Sequence, residues 1–198
     1  MAAFQKVITG EVRLSYAHIF TPAVTPSGEK KYSVSLLIPK SDVETVQKIK
    51  DAISVCENTL RQKLGIAPTA PLKNPLRDGD IERPQDPAYR GCYFLNANSA
   101  IPVPCIDADF QPIVSSADLY SGCYARVSVN FYLYSQAGNR GTGVGLNAIQ
   151  KLRDGENLSG AVVDAVFTPA GIIQKAGHVP FPLGNLRRAS IYPYFHAA

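Results

Sequence analysis

Apolar and polar positions alternate most regularly between Cys123 and Tyr134. The odd positions are Cys123, Ala125, Val127, Val129, Phe131 and Leu133, and the even ones are Tyr124, Arg126, Ser128, Asn130, Tyr132 and Tyr134. Successive side chains of a strand point to opposite faces, so this pattern predicts a strand that buries the first set and turns the second outward. Residues 6–16 alternate in the same way, with Val12, Leu14 and Tyr16 on one face and Glu11, Arg13 and Ser15 on the other. In residues 30–39, Tyr32, Val34, Leu36 and Ile38 stand against Lys31, Ser33, Ser35 and Leu37, and the two strands are expected to pair as a long-looped hairpin. The period then changes. Val46, Ile49, Ile53, Cys56, Leu60 and Leu64 recur at three- and four-residue steps, between a Ser41/Glu44 capping-box spacing and the stop signal Gly65. That is a helix, and its mixed outer face of Lys48, Lys50, Glu57, Arg61 and Lys63 suits solvent.

Beyond the helix, the proline-rich residues 67–89 predict a long excursion around a turn at Asp78-Gly79-Asp80, where Lys73, Arg77, Arg83 and Arg90 are available to line a groove. Residues 92–99 read as a strand with Tyr93 and Phe94 on opposite faces. Residues 102–114 read as two short strands joined through Asp107 and Asp109. After the central strand comes AGNRGTGVG, with neither the lysine of a phosphate-binding loop nor the interval of a dinucleotide fingerprint. It therefore reads as a hairpin or bulged strand with Arg140 at an exposed tip. Residues 144–156 continue as a strand or short helix that brings Lys151 and Arg153 toward the aromatic face. The expected class is mainly β, a small closed or partly open barrel with one long helix and a long proline-rich loop.

The sequence has 198 residues, enough for one domain with a real core, and 45% of them are apolar, which argues against global disorder. It has no apolar run near the roughly 20 residues that span a bilayer and no signal-peptide pattern at residues 1–12, so a soluble cytoplasmic protein is expected. Cys56, Cys92, Cys105 and Cys123 form no C-x-x-C pair, and reduced, wholly or partly buried thiols are expected. The formal charge is +4, but every acidic residue lies at or before Asp164, which leaves residues 1–164 close to neutral. Such a body holds nucleic acid only through a local groove and not through bulk charge.

The even face of the central strand has the composition of such a groove. Rings two residues apart, mixed with a guanidinium, form a surface on which unpaired bases stack. The alternative is that the tyrosines are good strand formers under a second layer of protein. On the first reading Tyr124, Tyr132 and Tyr134 are the stacking platforms, and Arg126, Arg140, Lys151 and Arg153 neutralise phosphates, with Arg13 and Lys31 as neighbours. Asn130 and Ser128 offer hydrogen bonds. Two further readings stay open. One is a Mg2+-dependent nuclease built on Asp78, Asp80 and Glu82, with Asp107 or Asp109, and the other is a structural barrel whose tyrosine face contacts other subunits. No metal or other cofactor is expected on the leading reading.

The stretch YSGCYARVSVNFYLYSQAGNRGTGVGLNAIQKLRDGENLSG, with the opening GEVRLSYAHIFTPAVTPSGEKKYSVSLLIPK and the DGD loop, resembles a family of phage-encoded single-stranded DNA-binding proteins. The resemblance covers roughly residues 4–171. It implies an oligonucleotide/oligosaccharide-binding (OB) fold in residues 1–171 that coats single-stranded DNA during phage replication, recombination or repair. It implies no catalytic residues, while phage or host replication proteins are conceivable partners and an oligomer is left open. Proteins of this class commonly end in an acidic tail. Residues 172–198 contain no Asp or Glu but carry Lys175, Arg187, Arg188 and an aromatic YPYF run. This segment departs from the pattern, as a disordered basic tail that adds DNA affinity or as sequence foreign to the family.

Overall fold

The structure is a computed structural model, and it describes residues 5–25, 28–67, 69–136, 138–158, 167–168 and 171–172. The chain divides into two units, Met1–Val162 and Val163–Ala198. The first is built on a ring of five strands. The strands β2 (Val12–Val24), β3 (Lys30–Pro39), β5 (Cys92–Ser99), β8 (Asn139–Arg153) and β7 (Tyr124–Gln136) pair in that order. The ring closes where β7 meets β2 again at Val12↔Ala125 and Arg13↔Tyr124. One join is parallel, β5 with β8, and it rests on the single pair Asn98↔Gly145. This is the partly open five-stranded barrel of the OB fold. Three short strands extend it: β1 (Gln5–Ile8) on β7, β4 (Arg77–Asp78) on β5 and β6 (Cys105–Ile106) on β8.

The alternation predicted for the central strand holds in β7. Ala125, Val127, Val129 and Phe131 are fully buried, in one core with Leu14, Leu36, Leu95 and Ile149. Helix α1 (Val43–Leu64) packs on β1, β7 and β8 and adds Val46, Ile49, Ile53, Cys56 and Leu60 to that core. Its N-cap is Asp42 and not Ser41: the Asp42 carboxylate accepts from the Thr45 amide, satisfying an otherwise unpaired N–H of the first turn. At the other end Gly65 adopts φ 59°, the left-handed stop that favours glycine. Leu64, expected inside, is exposed. All four cysteines are free thiols, three buried and Cys92 half-buried, and burial pushes the Cys105 thiol up to about 11.

Strand β2 departs from the reading in one respect. Between the pairs Ser15↔Ser35 and His18↔Ser33 it carries one residue more than β3, a bulge. Tyr16 takes φ 47° there and is 54% exposed, where simple alternation put it in the core with Leu14.

The proline-rich excursion is ordered by three small elements: β4, a helical turn α2 (Gly79–Glu82) and a 3-10 turn at Pro87–Tyr89. Tyr89 folds back on the outer face of the barrel, where it meets Phe94 edge-on at 5.0 Å and packs with Leu37 in a second small core. Such an aromatic pair adds about 0.5–1.5 kcal/mol beyond its buried area. The loop thus covers the Leu37/Phe94 end of the β3–β5 outer face and leaves Ser33, Ser35, Asn96 and Asn98 outside that small core.

In the second unit, β9 (Phe167–Thr168) pairs antiparallel with β10 (Gly171–Ile172). The basic and aromatic positions of 173–198 lie outside the described residues. Among the described residues no helix is long and apolar enough to cross a membrane.

Candidate nucleic-acid interface

Three adjoining hollows run across the outside of the barrel. The first, of about 340 Å3, lies between β2 and the proline-rich loop and is lined by Tyr16, His18, Asp86 and Ser121 among others. Tyr16 and His18 also line the second, of about 380 Å3, with Ser33, Ser35, Arg83 and Asn96. Asn96 leads into the third, about 510 Å3, whose walls include Lys31, Arg77, Asn98, Tyr132, Tyr134 and Gly143. The path crosses β2, β3 and β5 and ends on the β7–β8 hairpin. In OB folds the face of the second and third ring strands and two of the connecting loops take oligonucleotides. Those ring strands are β3 and β5 here.

The hairpin explains the glycines. Tyr134, Tyr132 and Asn130 of β7 stand opposite Gly141, Gly143 and Gly145 of β8. A Cβ on Gly143 would come within 2.5 Å of the Tyr132 ring, and one on Gly145 would meet the Asn130 amide. The glycines are therefore the shallow bed on which the Tyr132 ring and the Asn130 amide lie. Only Gly138, at φ 80°, serves the turn itself.

Around this platform the charges are cationic. Lys31 sits close enough to Tyr132 to feel its field and pairs with Glu29 at 2.7 Å, which raises its own pKa. Arg77 lies over Phe94 at 4.8 Å and pairs with Glu82. Ser35 donates its hydroxyl to the Asn96 side-chain oxygen, which leaves the Asn96 amino group as the donor still available there. Thr142, 3% exposed, also lines the third hollow, and among the described residues its hydroxyl has no hydrogen-bond partner.

The expected site residues therefore divide. Tyr132, Tyr134 and Lys31 line the cleft, Asn130 is the next residue along the same face, and Arg140 is exposed at the hairpin end, where its carbonyl accepts from the Lys73 amide. Tyr124, Arg13 and Arg153 gather at the far end of β7, eight residues and roughly 27 Å of strand away. There the Arg153 guanidinium lies 3.5 Å from the centre of the Tyr124 ring and binds Glu11 at 2.6 Å. Arg13 donates to the carbonyls of Gly122 and Glu156. Lys151 is held by Asp154 at 2.7 Å and by the Asp118 carbonyl. Arg126 is exposed in a separate hollow beside Asp42, Glu44 and Lys48 at the start of α1. Alternation correctly placed these side chains on one face of the strand, but a barrel wall curves away beneath that face.

The reading missed Tyr16, His18, Ser33, Ser35, Asn96 and Asn98. The last four look like ordinary solvated strand positions, and only their pairing side by side, Ser33↔Asn98 and Ser35↔Asn96, makes them a floor. Arg77 and Arg83, noted as groove-lining in the proline-rich stretch, do line it.

The carboxylates of the proposed metal cluster have internal partners. Lys40 bridges Asp78 and Asp80 at 2.7 and 2.8 Å, Asp80 accepts from the Gly91 amide, and Glu82 holds Arg77. The Lys40 ammonium keeps the Asp80 carboxyl below its ordinary pKa, and Lys40 is raised in turn. These bonds tie the loop to the end of β3.

Comparison with known proteins decides the family. The sequence profile of the family described as "Enterobacter phage Enc34, ssDNA-binding protein" matches residues 5–168. The chain belongs to this family. Protein p50 of Acyrthosiphon pisum secondary endosymbiont phage 1 is 30% identical over 172 residues, covering 81% of this chain and 90% of that protein. Among solved structures, the single-stranded DNA-binding protein from bacteriophage Enc34 with a C-terminal truncation superposes with a TM-score of 0.66 at 24% identity, covering 77% of this chain and 88% of that one. The same phage protein in complex with ssDNA gives 0.63 at 22% identity, covering 78% and 89%. The T7 single-stranded DNA-binding protein gp2.5 gives 0.58 at 14% identity, covering 80% and 92%. At these identities the superpositions establish the shared barrel fold. The family is described as one of ssDNA-binding proteins.

Proposed function

We propose that the chain binds single-stranded DNA with little sequence preference along the groove from Tyr16 to Tyr134. It does so by stacking bases on Tyr132 and Tyr134 and neutralising phosphates with Lys31, Arg77 and Arg83. The observation that carries this reading is the third hollow, where Tyr132, bedded on Gly143, and Tyr134 share the walls with Lys31, Arg77 and the side chains of Asn96 and Asn98. Stacking on a ring is indifferent to base identity, because every base has a π-face. Arg140 and Asn130 extend the platform beyond the cleft. Tyr124, Arg126, Lys151, Arg153 and Arg13 serve at most an outlying segment of a longer strand, since the groove does not reach them.

On this reading the DNA-binding domain is residues 1–171, and the basic 172–198 segment adds affinity. The setting is phage DNA replication, recombination or repair in the host cytoplasm, with phage or host replication proteins as further partners.

A titration with oligo-dT of graded length at two salt concentrations tests this reading. Affinity is expected to rise with length until the groove is filled. The log of affinity should fall with log salt by about 0.7 per phosphate contact. Lys31→Ala should lower that slope by about the same amount while binding persists. Equal affinity for duplex and single strand at physiological salt, or no salt dependence, would overturn it.

A further inference from the structure

The hollow at the Tyr16 end differs chemically from the rest of the groove. Where the third hollow is cationic, this one has the Asp86 carboxylate in its wall, with Tyr16, His18, Ala88, Ser121 and Leu158. A phosphate backbone is repelled from a carboxylate, so what enters here is not phosphate. From this placement we propose that the hollow is a base-reading subsite, in which Asp86 accepts a hydrogen bond from the exocyclic amine of cytosine, adenine or guanine and disfavours thymine. The inference rests on the groove reading above.

Three features build the subsite. Tyr16 is turned into it by the β2 bulge at φ 47°, a conformation unfavourable for a bulky residue that persists where surrounding structure enforces it. Its exposed ring lines both this hollow and the next, with the Arg83 guanidinium 5.7 Å from the ring centre, so it can carry one base at the junction. Asp86 is fixed, since one carboxylate oxygen accepts the Ala88 amide at 3.1 Å and each carboxylate oxygen keeps a lone pair for a further donor. Ser121 accepts the Ala17 amide at 2.9 Å, and among the described residues its own O–H has no acceptor, so it can donate to a base carbonyl or ring nitrogen. An acceptor and a donor in the walls of one hollow suit the Watson–Crick edge of cytosine, which carries its amine next to N3. Thymine instead presents its O4 carbonyl where cytosine carries the amine, and oxygen faces oxygen.

The experiment uses the full chain and the shortest oligo-dT that saturates it, with one thymine replaced by cytosine at each position in turn. The two pyrimidines are nearly equal in size, so the comparison isolates the edge. At one position the cytosine oligonucleotide should bind about fivefold more tightly, the scale of one net hydrogen bond. In Asp86→Asn, which retains a side-chain oxygen to cap the Pro87–Tyr89 turn, the preference for cytosine over thymine at that position should vanish or reverse. Equal affinity for every oligonucleotide, or a cytosine preference that survives Asp86→Asn, would overturn the subsite while leaving the groove standing. Failure of the parent chain to bind any of them would overturn both.

Discussion

Replacing Tyr132 and Tyr134 together by alanine should weaken binding of oligo-dT at least about thirtyfold. Each stacked base is worth about 1–3 kcal/mol, and two lost platforms give about 2–6 kcal/mol, where every 1.4 kcal/mol is a factor of ten. Both side chains are only half-buried, and neither belongs to the barrel core formed by Val127, Val129 and Phe131. The structural cost is therefore confined to uncovering Gly143 and to losing the cross-strand pairs with Gly143 and Gly141, about 0.2–1 kcal/mol each. The thermal midpoint should move by only a few degrees. Fluorescence anisotropy for binding and calorimetry for folding separate the two effects. A folded double variant with parental affinity would end the stacking role of these rings.

The second large effect is on folding. Gly122→Ala should cost about 3–5 kcal/mol, in the range reserved for backbone strain combined with overpacking. Gly122 sits at φ 120°, and a Cβ there would collide with the Glu156 carbonyl oxygen. The neighbouring backbone cannot yield easily, because the Gly122 amide donates to the Leu14 carbonyl at 2.8 Å and its own carbonyl oxygen is packed against Gly155. Denaturant unfolding should show a large loss in midpoint. A midpoint within experimental error of the parent would mean that the 120–123 and 155–157 segments separate freely. Gly143→Ala is the instructive contrast, because there the added Cβ meets the far end of a side chain and should cost affinity more than stability.

Local regularity made much of the fold legible. Helix α1 announces itself by period and caps, and its start was misplaced by one residue because S-x-x-E and D-x-x-T overlap at 41–45, and only the backbone geometry distinguishes them. The buried row of β7 was equally plain. The groove was not, for three reasons. The β2 bulge inverts Tyr16, and nothing in LSYAH marks a residue at positive φ. The floor of Ser33, Ser35, Asn96 and Asn98 exists only once β3 and β5 lie side by side. The engagement of Arg153 is hidden because its partner, Glu11, lies far away in sequence, whereas the Asp154 partner of Lys151 is local. The glycine stretch reads as a hairpin or bulged strand, but its sequence does not tell what the missing side chains make room for: Tyr132 at Gly143, Asn130 at Gly145 and the Lys73 backbone at Gly141.

The parallel join of β5 and β8 at Asn98↔Gly145 gives the groove a mechanical character. The third hollow lies over that join, with Asn96 and Asn98 on one bank and Tyr132, Tyr134 and Gly143 on the other. A polyanion lying there spans a joint that the backbone itself barely fastens. On the proposed reading it would act as a clasp, and each nucleotide seated between the banks would make breathing of the barrel costlier. Occupancy should therefore slow amide exchange around residues 98 and 145 more than in the well-paired β2–β3 hairpin. A protein that must follow a flexible strand and then release it gains from keeping its compliance at the point where the strand lies.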